Sequence, residues 1–276
     1  MTREELLDRM EAIKAQYGEW VYDIPLPHGV WTKGNLKVRH QRLKRVLQVI
    51  SDLAPKPLEE CRILDLGCLD GIFSIELAHH GAEVVGIDAR RANIVKAEFC
   101  REALGLDRLS FVEDDVRNFT VGKYGEFDII LCSGILYHLD APDVFYFLRH
   151  MYEAVRGFVV IDTHFCTEVK YSYRFEDFVY HGAVSEETAV LKKIDNLTSA
   201  FGNDVSFWFT KHSLMNALAN MGFSSVFECF IPVLFFEKRS IADRSTFIAV
   251  KGRRAMAVTS PEVNDTDLLW SEFEKK

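Results

Sequence analysis

Residues 65–71 read Asp-Leu-Gly-Cys-Leu-Asp-Gly, with a strand-like run, RILDL, leading in and a helical pattern, GIFSIELAHHG, leading out. Glycines such as Gly67 and Gly71 allow left-handed torsions and close approach of a ligand to the backbone. The start of the next helix offers unpaired N–H groups. The turn is therefore a seat for polar groups. A dinucleotide fingerprint would carry a glycine where Cys68 stands and would lack the acid, Asp65, that opens the turn. That carboxylate repels a pyrophosphate and attracts a cationic amino group, so the spacing favours an amino acid derivative of a nucleoside. Asp88 closes VVGID, where an α/β nucleotide site holds ribose hydroxyls, and can accept from both. In EDDVRNF, Asp115 can accept from an exocyclic adenine amine while the Val116 N–H donates to a ring nitrogen. His138 in GILYHLDAP and His164 in VVIDTHF are candidate general bases, with Asp162 a candidate orienting partner for His164. A purely structural use, acids capping helices and glycines turning the chain, is the competing reading.

These residues need a scaffold that brings strand ends together. From Cys61 onward, short apolar runs (RILDLG, AEVVGID, LSFVED, FDIILC, GFVVID) alternate with helical ones (RANIVKAEFCREALG, PDVFYFLRHMYEAV). That rhythm predicts an α/β fold with a mainly parallel sheet and helices on both faces. After Asp162 it breaks. Val169, Tyr171, Tyr173 and Phe175 alternate as in an extended or hairpin segment, KHSLMNALANMG reads as a helix stopped by Gly222, and the runs 223–236 and 245–250 predict an antiparallel pair at one edge. The expected organisation is an N-terminal helical cap (1–60), a core (61–252) with an insertion at about 166–208, and a C-terminal tail (253–276) in which only DLLWSEF has an ordered pattern.

The chain has 276 residues, 48% hydrophobic, with 33 Lys and Arg against 41 Asp and Glu, a net charge of −8. This acidity argues against a nucleic-acid or anionic-membrane partner. No apolar run reaches the roughly eighteen residues of a membrane span, and MTREELLDRM has no apolar signal core, so a cytoplasmic location is expected. Six scattered cysteines without a C-x-x-C pair read as reduced buried thiols.

Taken together, LDLGCLDG, VVGID, EDDVRNF and FDIILCSGILYHLDAP resemble the four motifs of the class I S-adenosylmethionine-dependent methyltransferases, over roughly residues 61–165. The resemblance implies a Rossmann-like seven-stranded sheet with an antiparallel last strand. It implies S-adenosylmethionine as cofactor and S-adenosylhomocysteine as product. Carried over position by position, Asp65, Gly67, Cys68 and Gly71 would cradle the methionine part, and Asp88 with Ala89 would take the ribose. Asp115 and Val116 would take the adenine, and Cys132 and Ser133 would approach the sulfonium side. More loosely, the N-terminal W-x-Y-x-I-x-L, LYHL and SFWFT stretches are similar to the group that contains relatives of wobble-uridine tRNA methyltransferases and bacterial small-molecule methyltransferases.

Methyl transfer is an in-line displacement that needs a desolvated acceptor about 3 Å from the methyl carbon. Aromatic residues of the insertion, Tyr171, Tyr173, Tyr180 and Trp208, are candidates for lining an acceptor pocket, with Trp20, Tyr22 and Trp31 of the N-terminal segment closing its other side. Cys132, Ser133 and Gly134 follow the fourth strand where a metal-dependent variant would carry carboxylates, so no metal is expected. The leading reading is methyl transfer to a small molecule, at an oxygen nucleophile first, with a histidine base. The basic stretch KGNLKVRHQRLKR keeps a tRNA base as an alternative acceptor, and a non-catalytic cofactor-binding module is the reading from another class. The sequence leaves the oligomeric state open.

Overall fold

The computed structural model describes residues 1–34, 41–186, 198–229 and 243–253. Lys37, Arg39, the 187–197 part of the insertion, the 230–236 part of the late apolar run and the DLLWSEF tail lie outside the described residues.

The N-terminal segment supplies α1 (Arg3–Tyr17), a short hairpin of β1 (Pro25–Leu26) and β2 (Val30–Trp31), and α2 (Gln41–Leu53). Thr2 starts α1 with a reciprocal capping box to Glu5, as its spacing in TREE allows. The core then alternates β3 (Arg62–Leu66), α3 (Ile72–His79), β4 (Glu83–Asp88), α4 (Arg91–Leu104), β5 (Leu109–Glu113), α5 (Val121–Tyr124), β6 (Phe127–Ser133), α6 (Asp143–Ala154) and β7 (Val155–His164). The insertion folds as β8 (Tyr171–Phe175), β9 (Phe178–Glu186) and β10 (Val205–Phe209), an antiparallel sheet of its own. The chain returns through α7 (Lys211–Met221), β11 (Ser225–Glu228) and β12 (Arg244–Val250). Thr210 caps α7, and Gly222, at φ 118°, ends it.

The main sheet has seven strands in the order β11-β12-β7-β6-β3-β4-β5. Strands β3 to β7 pair in parallel; β12 runs antiparallel to both β7 and β11. The late antiparallel pair thus forms as expected, with β11 rather than β12 at the rim. Successive side chains of a strand point to opposite faces, and both faces here are apolar. Leu64, Ile130, Val159 and Phe247 pack with α6, α7 and the insertion, whereas Ile63, Ile129, Phe158 and Ile248 pack with α1, α2, α3 and α4. That double burial explains the near-continuous apolar runs. It leaves the carboxyl ends of β3, β4 and β6 as the place where polar residues can gather. No helix among the described residues is long and apolar enough to cross a membrane.

Candidate active site

A cleft of about 890 Å³, counting its open mouth, lies over those strand ends. The loop after β3 forms its floor. Gly67 and Cys68 donate their N–H groups to the Ile87 carbonyl, both at 2.9 Å, which binds the loop to β4. Gly67 has φ +71° and Gly71 has φ +88°. A Cβ at position 71 would lie only 2.6 Å from the Phe111 ring, so any larger residue there would collide.

Of the four loop residues expected to hold a ligand, only Gly67 lines the cleft. Asp65 is a correction: its carboxylate lies under the loop and accepts from Ser74 Oγ of α3 at 2.6 Å, and burial raises its pKa to about 6. It braces the turn instead of facing a ligand. Cys68 is buried with its thiol raised by desolvation, and Gly71 serves as the left-handed N-cap of α3. Leu69, passed over in the sequence, does line the cleft and sits at φ +51°, rare for a branched side chain.

At one end of the cleft stand Asp88 and Asp115. Asp88 is almost buried. Its Oδ2 accepts from the Leu69 N–H at 3.1 Å, and its Oδ1 from the Arg90 N–H at 2.9 Å and Asn93 Nδ2 at 3.0 Å. Burial nonetheless raises its pKa above the ordinary carboxylate value. Asp115 accepts from the Arg117 N–H at 2.9 Å and from the Arg117 guanidinium, while Ala89 and Val116 complete that wall. Residues from the insertion close over it. Arg90 Nη2 donates to the Ser199 carbonyl at 2.8 Å and Arg117 Nη2 to the Phe201 carbonyl at 3.2 Å.

At the other end are Tyr22, Arg42, Ser133, Tyr137 and His138. Ser133 Oγ is buried without a hydrogen-bond partner among the described residues. Cys132 is fully buried in the apolar layer and does not line the cleft. His138 packs its ring against Tyr137, centroids 4.2 Å apart, and its carbonyl accepts from Asn203 Nδ2 at 2.8 Å.

His164 lies behind Tyr137, outside the lining. Its Nε2 is 3.1 Å from Arg244 Nη1, and its Nδ1 is 3.4 Å from the Asp243 carboxylate. Burial, then the Arg244 charge, lower its pKa. Asp162 is not its partner, which corrects the expected pairing. The Asp162 carboxylate is fully buried and accepts from Arg45 Nη2 at 2.8 Å, Thr246 Oγ1 at 2.7 Å and Arg244 Nε at 2.7 Å. Burial alone would raise its pKa, but Arg244, Thr246 and Arg42 hold it below the usual range. Arg42 and Arg45 therefore turn inward, which removes two charges from the basic surface expected of KGNLKVRHQRLKR.

The aromatic candidates of the insertion mostly build its own core. Phe145 of α6 packs within 6 Å, centroid to centroid, of Tyr173, Phe175, Tyr180, Phe207 and Phe209. Tyr180 is 2% exposed, with its hydroxyl accepting from Asn220 Nδ2 at 3.1 Å, while Tyr171 lies at the solvent edge. Trp208 stacks on His164 at 5.4 Å. Of the three N-terminal aromatics, only Tyr22 lines the cleft; Trp20 is buried against Phe99, and Trp31 lines a separate surface hollow beside α1. The insertion reaches the cleft instead through Ser199, Phe201 and Asn203. Sequence reasoning missed Arg42 and Tyr137 as cleft residues. Arg42 was visible only as one cation in a basic run, and Tyr137 as a neighbour of His138.

The strand order, the glycine loop and acids at the ends of β4 and β5 define a Rossmann-like class I methyltransferase, a class whose cofactor is S-adenosylmethionine. The chain belongs to the Methyltransferase domain family, whose sequence profile matches residues 38–226. It is 35% identical over 158 residues to a ubiquinone biosynthesis O-methyltransferase of Cereibacter sphaeroides, covering 51% of this chain and 58% of that protein. The chain spans about half the length of the curated relatives of that name that it matches. In fold it is similar to the N-terminal domain of EvdMO1 solved with SAH and D-fucose (TM-score 0.71, 22% identity, 91% of this chain and 98% of that one). It is also similar to the 1,6-didemethyltoxoflavin-N1-methyltransferase of Burkholderia thailandensis (TM-score 0.55, 14% identity, 92% and 91%).

Proposed function

We propose that this chain transfers a methyl group from S-adenosylmethionine to an oxygen of a small-molecule acceptor. The observation that carries the reading is the set of groups brought to one cleft: Asp88 and the Arg117-paired Asp115 past the ends of β4 and β5, and, beside the end of β6, the guanidinium of Arg42 and the Ser133 Oγ, which has no hydrogen-bond partner among the described residues. A nucleoside joined to an amino acid fits that arrangement. Asp88 and Ala89 take the ribose, Asp115 and Val116 the adenine, and Arg42 the methionine carboxylate. When bound, the cofactor supplies a methyl group activated by a sulfonium. This chain's residues orient it, exclude water and remove the acceptor's proton.

His138 is the base in this reading, since it lines the cleft beside Tyr137, whereas His164 has Nε2 engaged by Arg244. Residues 1–60 act as a cap and the insertion at 166–208 as a lid, whose Ser199 and Phe201 cover the nucleoside end while Asn203 reaches His138. Relatives named as O-methyltransferases support oxygen as the accepting atom.

The test is calorimetric titration of the purified chain with S-adenosylmethionine and S-adenosylhomocysteine, beside Asp88→Ala, followed by transfer of labelled methyl to fractionated cell extract. Loss of the paired, buried Asp88 should weaken binding by about 1–3 kcal/mol. Absence of binding by the unaltered chain would overturn the reading.

A further inference from the structure

Residues 19–23 form a strap between α1 and β1, two of whose residues, Val21 and Tyr22, line the cleft, and an unusual loop residue holds them. Asp70 is fully buried. Its Oδ2 accepts from the Val21 N–H at 2.6 Å and from the Tyr22 N–H at 2.8 Å. Both donors belong to residues that line the cleft. The neighbour on the other side, Leu69, lines it too, and its N–H donates to Asp88 Oδ2 at 3.1 Å. One turn of chain therefore touches the ribose-facing carboxylate with one residue and the strap with the next.

The strap is tied at further points. Lys96, buried on α4, donates Nζ to the Glu19 carbonyl at 2.6 Å, and Trp20 packs on Phe99 with centroids 5.8 Å apart. Thr32 Oγ1 donates to the Tyr22 carbonyl at 2.8 Å. Tyr22 in turn accepts, at its hydroxyl, from Arg42 Nη2, and Arg42 also lines the cleft. A short carboxylate receiving two adjacent backbone N–H groups fixes their direction as an N-cap does at a helix start. Leu69, which lines the cleft, has a left-handed torsion, and the next residue, Asp70, is outside the lining and bonded to the strap. A strained torsion of this kind persists where the surroundings over-determine it.

We infer that Asp70 is a positioning residue for the cofactor: its carboxylate latches the strap 19–23 to the glycine loop, so that Tyr22 and Arg42 are set at one end of the cleft when Asp88 is engaged at the other. Resting on the methyltransferase reading, this adds a mechanical link between the two ends of the site. Binding and strap order then become a single equilibrium.

The test uses the full chain with S-adenosylhomocysteine as probe. Asp70→Ala should raise its Kd at least fivefold, while Asp70→Asn, which keeps an oxygen acceptor for both N–H groups, should stay within twofold. Amide exchange at Val21 and Tyr22 of the unaltered chain should slow at least tenfold when the probe is added, with α6 as an internal reference. This second measurement holds even where Asp70→Ala fails to fold. Equal affinity of folded Asp70→Ala and the unaltered chain, or exchange at Val21 and Tyr22 that ignores the probe, would sink the latch and leave the methyltransferase reading standing. An unaltered chain that does not bind the probe would sink both.

Discussion

Arg244 Nη1 lies 3.1 Å from His164 Nε2 and, having no lone pair to offer, makes that nitrogen the acceptor. That contact favours the neutral imidazole, whose other nitrogen lies 3.4 Å from the Asp243 carboxylate. His164→Ala should leave the rate of methyl transfer within about threefold, whereas His138→Ala should slow it by about 10²–10⁴, the usual span for losing a general base. Single-turnover rates with a matched acceptor separate the two, and equal losses would contradict the assignment.

His164 also has a pH signature. Burial and Arg244 lower its folded pKa, so below the unfolded value of about 6.5 the unfolded chain binds more protons than the folded one. Its contribution to stability is present above that value and lost as pH falls below it. Imidazole proton shifts followed by NMR should give a midpoint below 6.5 in the unaltered chain and a higher one in Arg244→Gln.

Asp162 is surrounded by Arg45 and Arg244, with Arg42 3.9 Å away. Removing the carboxylate leaves guanidinium groups uncompensated in a largely desolvated place. Asp162→Ala should cost about 3–5 kcal/mol, the range for breaking a buried pair from one side. Urea denaturation measures it, and a loss below about 1 kcal/mol would mean that water already screens the cluster.

Burial raises the Asp70 pKa from 3.8 to about 7, offset only in part by the Tyr22 and Val21 N–H groups and by Lys96. Between those values the folded chain holds a proton that the unfolded chain has released, so stability is greatest below the unfolded pKa and falls as pH rises through the folded one. The unaltered chain minus Asp70→Asn should therefore show declining stability from pH 4.5 to about 7.5, read as denaturation midpoints. A flat difference would place the Asp70 pKa in the ordinary range.

Gly71→Ala should destabilise the chain by about 1–3 kcal/mol, because the φ of +88° disfavours a side chain and the new carbon would meet the Phe111 ring at 2.6 Å. Thermal unfolding reads this directly. An unchanged midpoint would show that Phe111 can move aside.

Some of this molecule was determined by the sequence alone, because the causes are local. Apolar runs of strand length, the helical period of α6, the stop at Gly222 and the torsions of Gly67 and Gly71 each act over a few residues. The place of Asp88 at the cleft was legible for the same reason: the carboxyl end of a parallel strand in this rhythm has one destination. Tertiary structure decided which side chains face the cleft. Asp65 looks like a ligand residue in its heptapeptide, but the pleat of β3 turns it towards Ser74. Asp162 and His164 are two apart in sequence, yet they take their nearest partners from α2 and from the start of β12. The rings of Tyr173 and Tyr180 fit a ligand pocket as well as a core in the sequence, and the fold brings both against Phe145. Tyr22, Arg42 and Asp70 come from separate segments, and their chemistry exists only once packing on the sheet brings them together, which no local pattern records.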